Sequence, residues 1–177
     1  MKSYLPKKMS KQKGFTLIEL LVVIGILAVL LAITLIAINP ARQFANANNT
    51  QRRSDVNQIL NSIGQYSADN RGDITALGTI SSDPLDPTQI SNTTVVAPAT
   101  SIGNAFCTTL VTEYIAALPS DPLTNTGTPV LEADCVGADT WDTGYTMYRS
   151  ATDNRITVIA PGTELNDSTP AIIEVTR

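Results

Sequence analysis

GFTLIELLVVIGILAVLLAITLIAI, residues 14–38, is the stretch from which the rest of the chain is read. From Phe15 to Ile38 it runs 24 residues with one ionisable side chain, Glu19. As an α-helix rising about 1.5 Å per residue it reaches about 36 Å, enough to cross a bilayer. Ahead of it stand Lys2, Lys7, Lys8, Lys11 and Lys13 and no acidic residue. A basic flank of this kind orients a span with its N-terminus in the cytoplasm and the remainder outside. Beyond Gly14 there are seven Arg against sixteen Asp and Glu, a formal charge of −9. Non-specific nucleic-acid binding draws its affinity from Lys and Arg set against phosphates, so no nucleic-acid partner is expected.

A secretory signal peptide also has a basic head and an apolar core, and Ala45-Asn46-Ala47 offers a small-x-small cleavage site. The apolar run is too long for that reading, and the site lies beyond Asn39-Pro40. Glu19 also sits four residues inside the run, where an acid costs about 2.5–3.5 kcal/mol at mid-bilayer and less near the interface. A passive anchor has no use for that cost.

Lys13-Gly14-Phe15-Thr16-Leu17-Ile18-Glu19-Leu20 resembles the class III signal of type IV prepilins, including the pseudopilins of type II secretion. The resemblance implies cleavage between Gly14 and Phe15 by prepilin peptidase on the cytoplasmic side, then N-methylation of the Phe15 amine. It also implies that Glu19 of an incoming subunit meets the Phe15 amine of one already in the filament. The charges suit that role, because Phe15 and Glu19 lie one helical turn apart on roughly one face. In low dielectric an unpaired charge is expensive, so pairing restricts the register in which helices pack.

Residues 1–14 are read as a cleaved leader, 15–38 as the transmembrane and assembly helix, 39–72 as its amphipathic continuation and 73–177 as a globular head. Pro40 is expected to kink the helix without ending it. Beyond it Val56, Ile59, Leu60 and Ile63 recur at helical spacing, with Arg52, Arg53, Asp55, Asn57, Gln58 and Asn61 assigned to the other faces. Asp69-Asn70-Arg71-Gly72-Asp73 is the expected stop. Residues 73–101 read as a surface connection with little regular structure. Phe106, Leu110, Val111, Tyr114, Ile115 and Leu118 predict a second helix that Pro119 ends, and strands are expected at about 144–149, 155–160 and 171–176. The fold class is therefore α+β, a long N-terminal helix packed against a C-terminal antiparallel sheet, which is the lollipop shape the resemblance implies. Leu118-Pro119-Ser120-Asp121-Pro122 also resembles the Leu-Pro-x-Asp-Pro turn of pilins and pseudopilins.

Outside the cytoplasm Cys107 and Cys135 are expected to pair, the alternative being two buried thiols. Beyond Gly14 there is no His and no Lys, which removes Ser-His, Cys-His, Ser-Lys, Schiff-base and His-metal chemistry. No enzyme is expected. Asp142-Thr143-Gly144 matches an aspartic-protease triplet, but a single copy reads as a turn into a strand. Glu132, Asp134, Asp139 and Asp142 form a hard-oxygen group, either a calcium site like that of major pseudopilins or an acidic loop. Three Asn-x-Ser/Thr triplets, at Asn48, Asn92 and Asn166, are given no role.

The expected function is a pilin subunit that forms homopolymers, with membrane, prepilin peptidase and a pilus assembly platform as further partners. It begins as a single-pass inner-membrane protein with a cytoplasmic N-terminus and ends in an extracellular pilus. The alternative is a major pseudopilin of type II secretion; the Cys107–Cys135 pair leans toward the pilin by family analogy. A membrane-tethered acidic binding module and a tethered carboxylate hydrolase are the readings from other classes. Both keep residues 1–14 and are indifferent to Glu19.

Overall fold

The computed structural model describes residues 14–93, 100–124, 127–137, 140–164 and 172–177. The first helix, α1 (Leu17–Ile38), opens on Thr16 and exposes every described side chain from Gly14 to Leu35. Its 22 residues correspond to about 33 Å, and Leu17–Leu35 is long and apolar enough to cross a membrane, with a mean hydropathy of 2.9.

Asn39 ends α1 in the left-handed region, at φ 43° and ψ 80°, and α2 (Pro40–Asp69) begins at the next residue. The expected uninterrupted helix is thus corrected to two. A residue before proline is disfavoured in the α region, Asn tolerates the left-handed one, and Pro suits the first position of a new helix. The chain divides after Ala41 into two compact units.

In the second unit the buried stripe of α2 holds Val56, Ile59, Leu60 and Ile63, as the spacing predicts, and also Ala45, Ser62 and Tyr66. It contains Arg52 and Asp55 as well, which corrects their assignment to the polar faces. Positions 52, 55, 56, 59, 60 and 63 follow one helical face, so the spacing was present and the charge concealed it. α2 stops at Asp69, with Arg71 left-handed at φ 57° and the Gly72 N–H donating to Ser67 O at 2.7 Å, the longer bond of a Schellman cap.

Four strands form an antiparallel sheet in chain order: β1 (Thr88–Ser91), β2 (Asp142–Arg149), β3 (Ile156–Ala160) and β4 (Ile173–Thr176). Met147 faces Thr88 on one side and Val158 on the other, and Val158 faces Val175. Tyr145, Met147, Ile156, Val158 and Ile173 join the apolar stripe of α2 in one core. β1 lies where a structureless connection was expected. Four residues with one large aliphatic, Ile90, are too short a run for alternation to be read.

The helix predicted up to Leu118 is cut back to α3 (Asn104–Leu110). Val111 is extended, Thr112 has φ 80°, and Val111 forms a parallel bridge with Ile115 across a tight loop. Thr108, Thr109, Val111 and Thr112 form a β-branched cluster that weakens helix propensity. Val111 and Leu118 are still buried in the core. Leu118 then pairs with Val130, and α4 (Glu132–Val136) brings buried Cys135 to buried Cys107 in a disulfide with Cα atoms 5.4 Å apart.

Candidate functional site

Two polar constellations stand out, one at the mouth of α1 and one buried beneath α2. At the first, Thr16 and Glu19 form a capping box. Glu19 Oε2 accepts from the Thr16 N–H at 2.8 Å and from the Thr16 hydroxyl at 2.7 Å, while Thr16 Oγ1 accepts from the Glu19 N–H at 3.3 Å. The carboxylate therefore satisfies the orphan donors of its own helix start, where the macrodipole also favours negative charge. One oxygen takes both bonds, and Oε1 has no partner among the described residues. Thr-x-x-Glu ahead of an apolar run is a legible capping signal, and it gives Glu19 a partner, Thr16, besides the expected Phe15 amine.

Phe15 is exposed, and its nitrogen is a peptide amide here, so the Phe15–Glu19 charge pair is not formed. A Cβ built on Gly14 would meet nothing within 4 Å, so no packing within the described chain calls for glycine there. Residues 1–13, with their lysines, lie outside the described residues.

The second constellation centres on Arg52. Its Nε donates to Asp121 Oδ2 at 2.5 Å and its Nη2 to Asp121 Oδ1 at 3.1 Å, the bidentate fork that guanidinium and carboxylate share. Nη1 reaches Asn49 Oδ1 at 3.0 Å and Glu164 Oε2 at 3.2 Å. Asp121 is the acid of the Leu-Pro-x-Asp-Pro turn, and it also accepts from the Leu123 N–H at 2.9 Å. Burial pushes the Asp121 carboxyl up, but the Arg52 guanidinium and the Leu123 N–H outweigh it and hold the group below its ordinary range. One turn along α2, Asp55 Oδ2 accepts from the Tyr145 hydroxyl at 2.7 Å. Burial raises the Asp55 pKa, the Tyr145 hydrogen bond offsets part of the rise, and the nearby Asp121 charge adds to it. Burial and then Asp55 itself push the Tyr145 hydroxyl up in turn.

Of the acidic residues considered for calcium, two accept hydrogen bonds from nearby backbone. Asp134 Oδ2 caps α4 by accepting from the Leu131 N–H at 2.8 Å, and Asp142 Oδ1 accepts from the Gly144 N–H at 2.9 Å. Glu132 is exposed and Asp139 lies outside the described residues. Among the described residues no three His, Cys, Asp or Glu side chains gather as a metal set. Asp142 opens β2 and Thr143 Oγ1 donates to Ile90 O at 2.7 Å, so the Asp-Thr-Gly triplet leads into a strand.

Against known families, residues 9–35 match the prokaryotic N-terminal methylation motif. That motif marks precursors of the type IV pilin and pseudopilin kind, and it spans Lys11, Lys13, Gly14, the capping box and α1 to Leu35. No curated protein and no solved structure matches the chain.

Proposed function

We propose that this chain is a type IV pilin-like subunit. Prepilin peptidase cuts it between Gly14 and Phe15, Phe15 is N-methylated, and α1 then leaves the bilayer to pack against α1 of other copies in an extracellular filament. The observation that carries this reading is Glu19, a carboxylate in the first turn of a fully exposed apolar helix with one oxygen held by Thr16 and the other unengaged. A new ammonium on Phe15 supplies the missing partner. Head-to-tail contacts that do not close into a ring generate a fibre from one repeated interface.

Before assembly the subunit is a single-pass membrane protein with its N-terminus in the cytoplasm. Mass spectrometry of the mature chain is expected to begin at N-methylated Phe15, and a mature chain that retains residues 1–14 would sink the proposal. Fibres are expected in the fraction sheared from the cell surface. Their confinement to the periplasm would replace the pilin by a pseudopilin of type II secretion.

A further inference from the structure

We propose that the groove between the first half of α2 and β4 is the socket for the Asp83–Asp86 turn of a second copy of this chain, so that heads as well as α1 helices join head to tail. The inference rests on the filament reading and adds a head contact to it. Charge is segregated along the chain. Residues 40–54 hold Arg42, Arg52 and Arg53 and no acid, whereas residues 55–177 hold four Arg against fifteen Asp and Glu. Arg52 is taken up by Asp121 and Glu164 beneath α2. Arg42 and Arg53 instead line a groove of about 620 Å³, with Ile172 and Val175 opposite. Two acids stand beside them, Glu164, already held by Arg52 and Asn48, and Glu174. The result is a basic recess on an otherwise acidic head, and its electrostatic complement is the head of another copy.

The sheet is open on that side. Residues 100–103 cover the β1 edge, with the Ile102 N–H donating to Gln89 O and the Gly103 N–H to Ser91 O, both at 2.9 Å. At β4, Ile156 and Arg177 exchange both backbone bonds, so the alternation of an antiparallel ladder turns the N–H and C=O of Glu174 and Thr176 away from β3. Neither N–H has a partner among the described residues, and an uncovered edge of this kind invites another chain. The matching projection is Leu85, 92 % exposed, more than any other large apolar side chain described. Its turn is rigid, because the Leu85 N–H donates to Asp83 Oδ1 at 2.8 Å, the Asp86 N–H to Asp83 O at 3.2 Å and the Asp83 N–H to Ser81 Oγ at 3.1 Å. A turn held in this way loses little freedom on docking. Neither Asp86 nor Arg53 forms an ion pair among the described residues. Across two copies Leu85 therefore answers Ile172 and Val175, and Asp86 answers Arg53. The turn leads into β1 and the groove flanks β4, the two edges of one sheet, so each copy can use both at once in an array that does not close.

The test is cross-linking of sheared fibres of the full mature chain carrying Pro84→Cys and Glu174→Cys, both at exposed positions, with bismaleimidoethane. Cys107 and Cys135 are bonded to each other and do not compete. A ladder of dimers and higher oligomers is expected, and Val136→Cys with Glu174→Cys, which pairs the groove with an exposed site on α4, should give none. A charge exchange supplies the second readout. Arg53→Asp should lower the yield of sheared fibres about fivefold, and adding Asp86→Arg should restore it, with the melting temperature of dispersed subunits unchanged throughout. Parent fibres whose Pro84→Cys/Glu174→Cys counterpart gives no ladder would overturn the contact and leave the filament reading standing. An equal ladder from the Val136→Cys pair, or an Arg53→Asp defect that Asp86→Arg does not relieve, would overturn it too. A parent that forms no fibres would sink the filament reading and this contact with it.

Discussion

Arg52 is the largest fully buried side chain among the described residues, and it is there because its charge is answered by two carboxylates, Asp121 and Glu164. Removing one partner from a buried pair strands the other, so Asp121→Asn is expected to cost about 3–5 kcal/mol in urea unfolding at neutral pH. A loss below 1 kcal/mol would mean that water already screens the pair. Asp121 is depressed and Asp55 is raised, so their pH dependences oppose each other. The Asp121 contribution is present above its ordinary pKa of 3.8 and is lost as pH falls through its lower folded value. Asp55 binds its proton more tightly when folded, so its contribution is greatest in acid and declines as pH rises from 3.8 through its folded value. Asp55→Asn keeps an acceptor for Tyr145 and removes the charge. The variant is therefore expected to gain stability over the parent between pH 4 and pH 7, and a gap that narrows instead would contradict the assignment. None of this was legible in the sequence, because Arg52 sits beside exposed Arg53 and its anionic partners lie 69 and 112 positions away.

Among the elements, those with strong local signals were legible and those made by tertiary contact were not. α1, the amphipathic face of α2 and the stop at Asp69 follow from length, spacing and a capping residue. β2, β3 and β4 fall close to the expected ranges, because each alternates or carries β-branched residues. β1 exists because β2 offers it an edge, which is not local enough to read, whereas α3 stops early at a β-branched cluster that stands in the sequence but is masked by the helical spacing of its apolar residues. Within β2, Gly144 has φ 75°, and an added Cβ would lie 2.7 Å from Thr124 Oγ1 and 2.9 Å from Asp121 Cβ. Gly144→Ala should therefore strain the backbone and displace Asp121 from Arg52, lowering the melting temperature more than Gly64→Ala, where a Cβ meets nothing within 4 Å. The disulfide joins α3 to α4 across a separation of 28 residues. Its reduction is expected to cost about 3–4 kcal/mol in the chain-entropy account. Equal unfolding midpoints with and without reductant would show that the α3–α4 contact holds without it.

For the whole molecule the governing fact is that α1 is apolar on every face and exposed along its described length, which lipid or other copies of itself must relieve. Lipid meets the apolar surface but leaves Glu19 with only Thr16, whereas a filament can supply an ammonium to its free oxygen. Glu19→Ala should therefore be processed normally and fail to assemble, and normal filaments would count against the pairing. The composition permits a sharper experiment. Beyond Gly14 the chain has no lysine, so after cleavage the Phe15 nitrogen is its only amine. Reductive methylation with isotopic formaldehyde then reports on that one atom, since an N-methylated terminus still accepts another methyl group. In detergent-dispersed subunits Phe15 should be labelled readily. In intact filaments an ammonium buried among apolar helices and held by Glu19 of a neighbour should lose its proton reluctantly, and labelling should fall at least about tenfold, the equivalent of roughly 1.4 kcal/mol of protection. Equal labelling of fibres and dispersed subunits would place the terminus in water, and the carboxylate would then need another explanation.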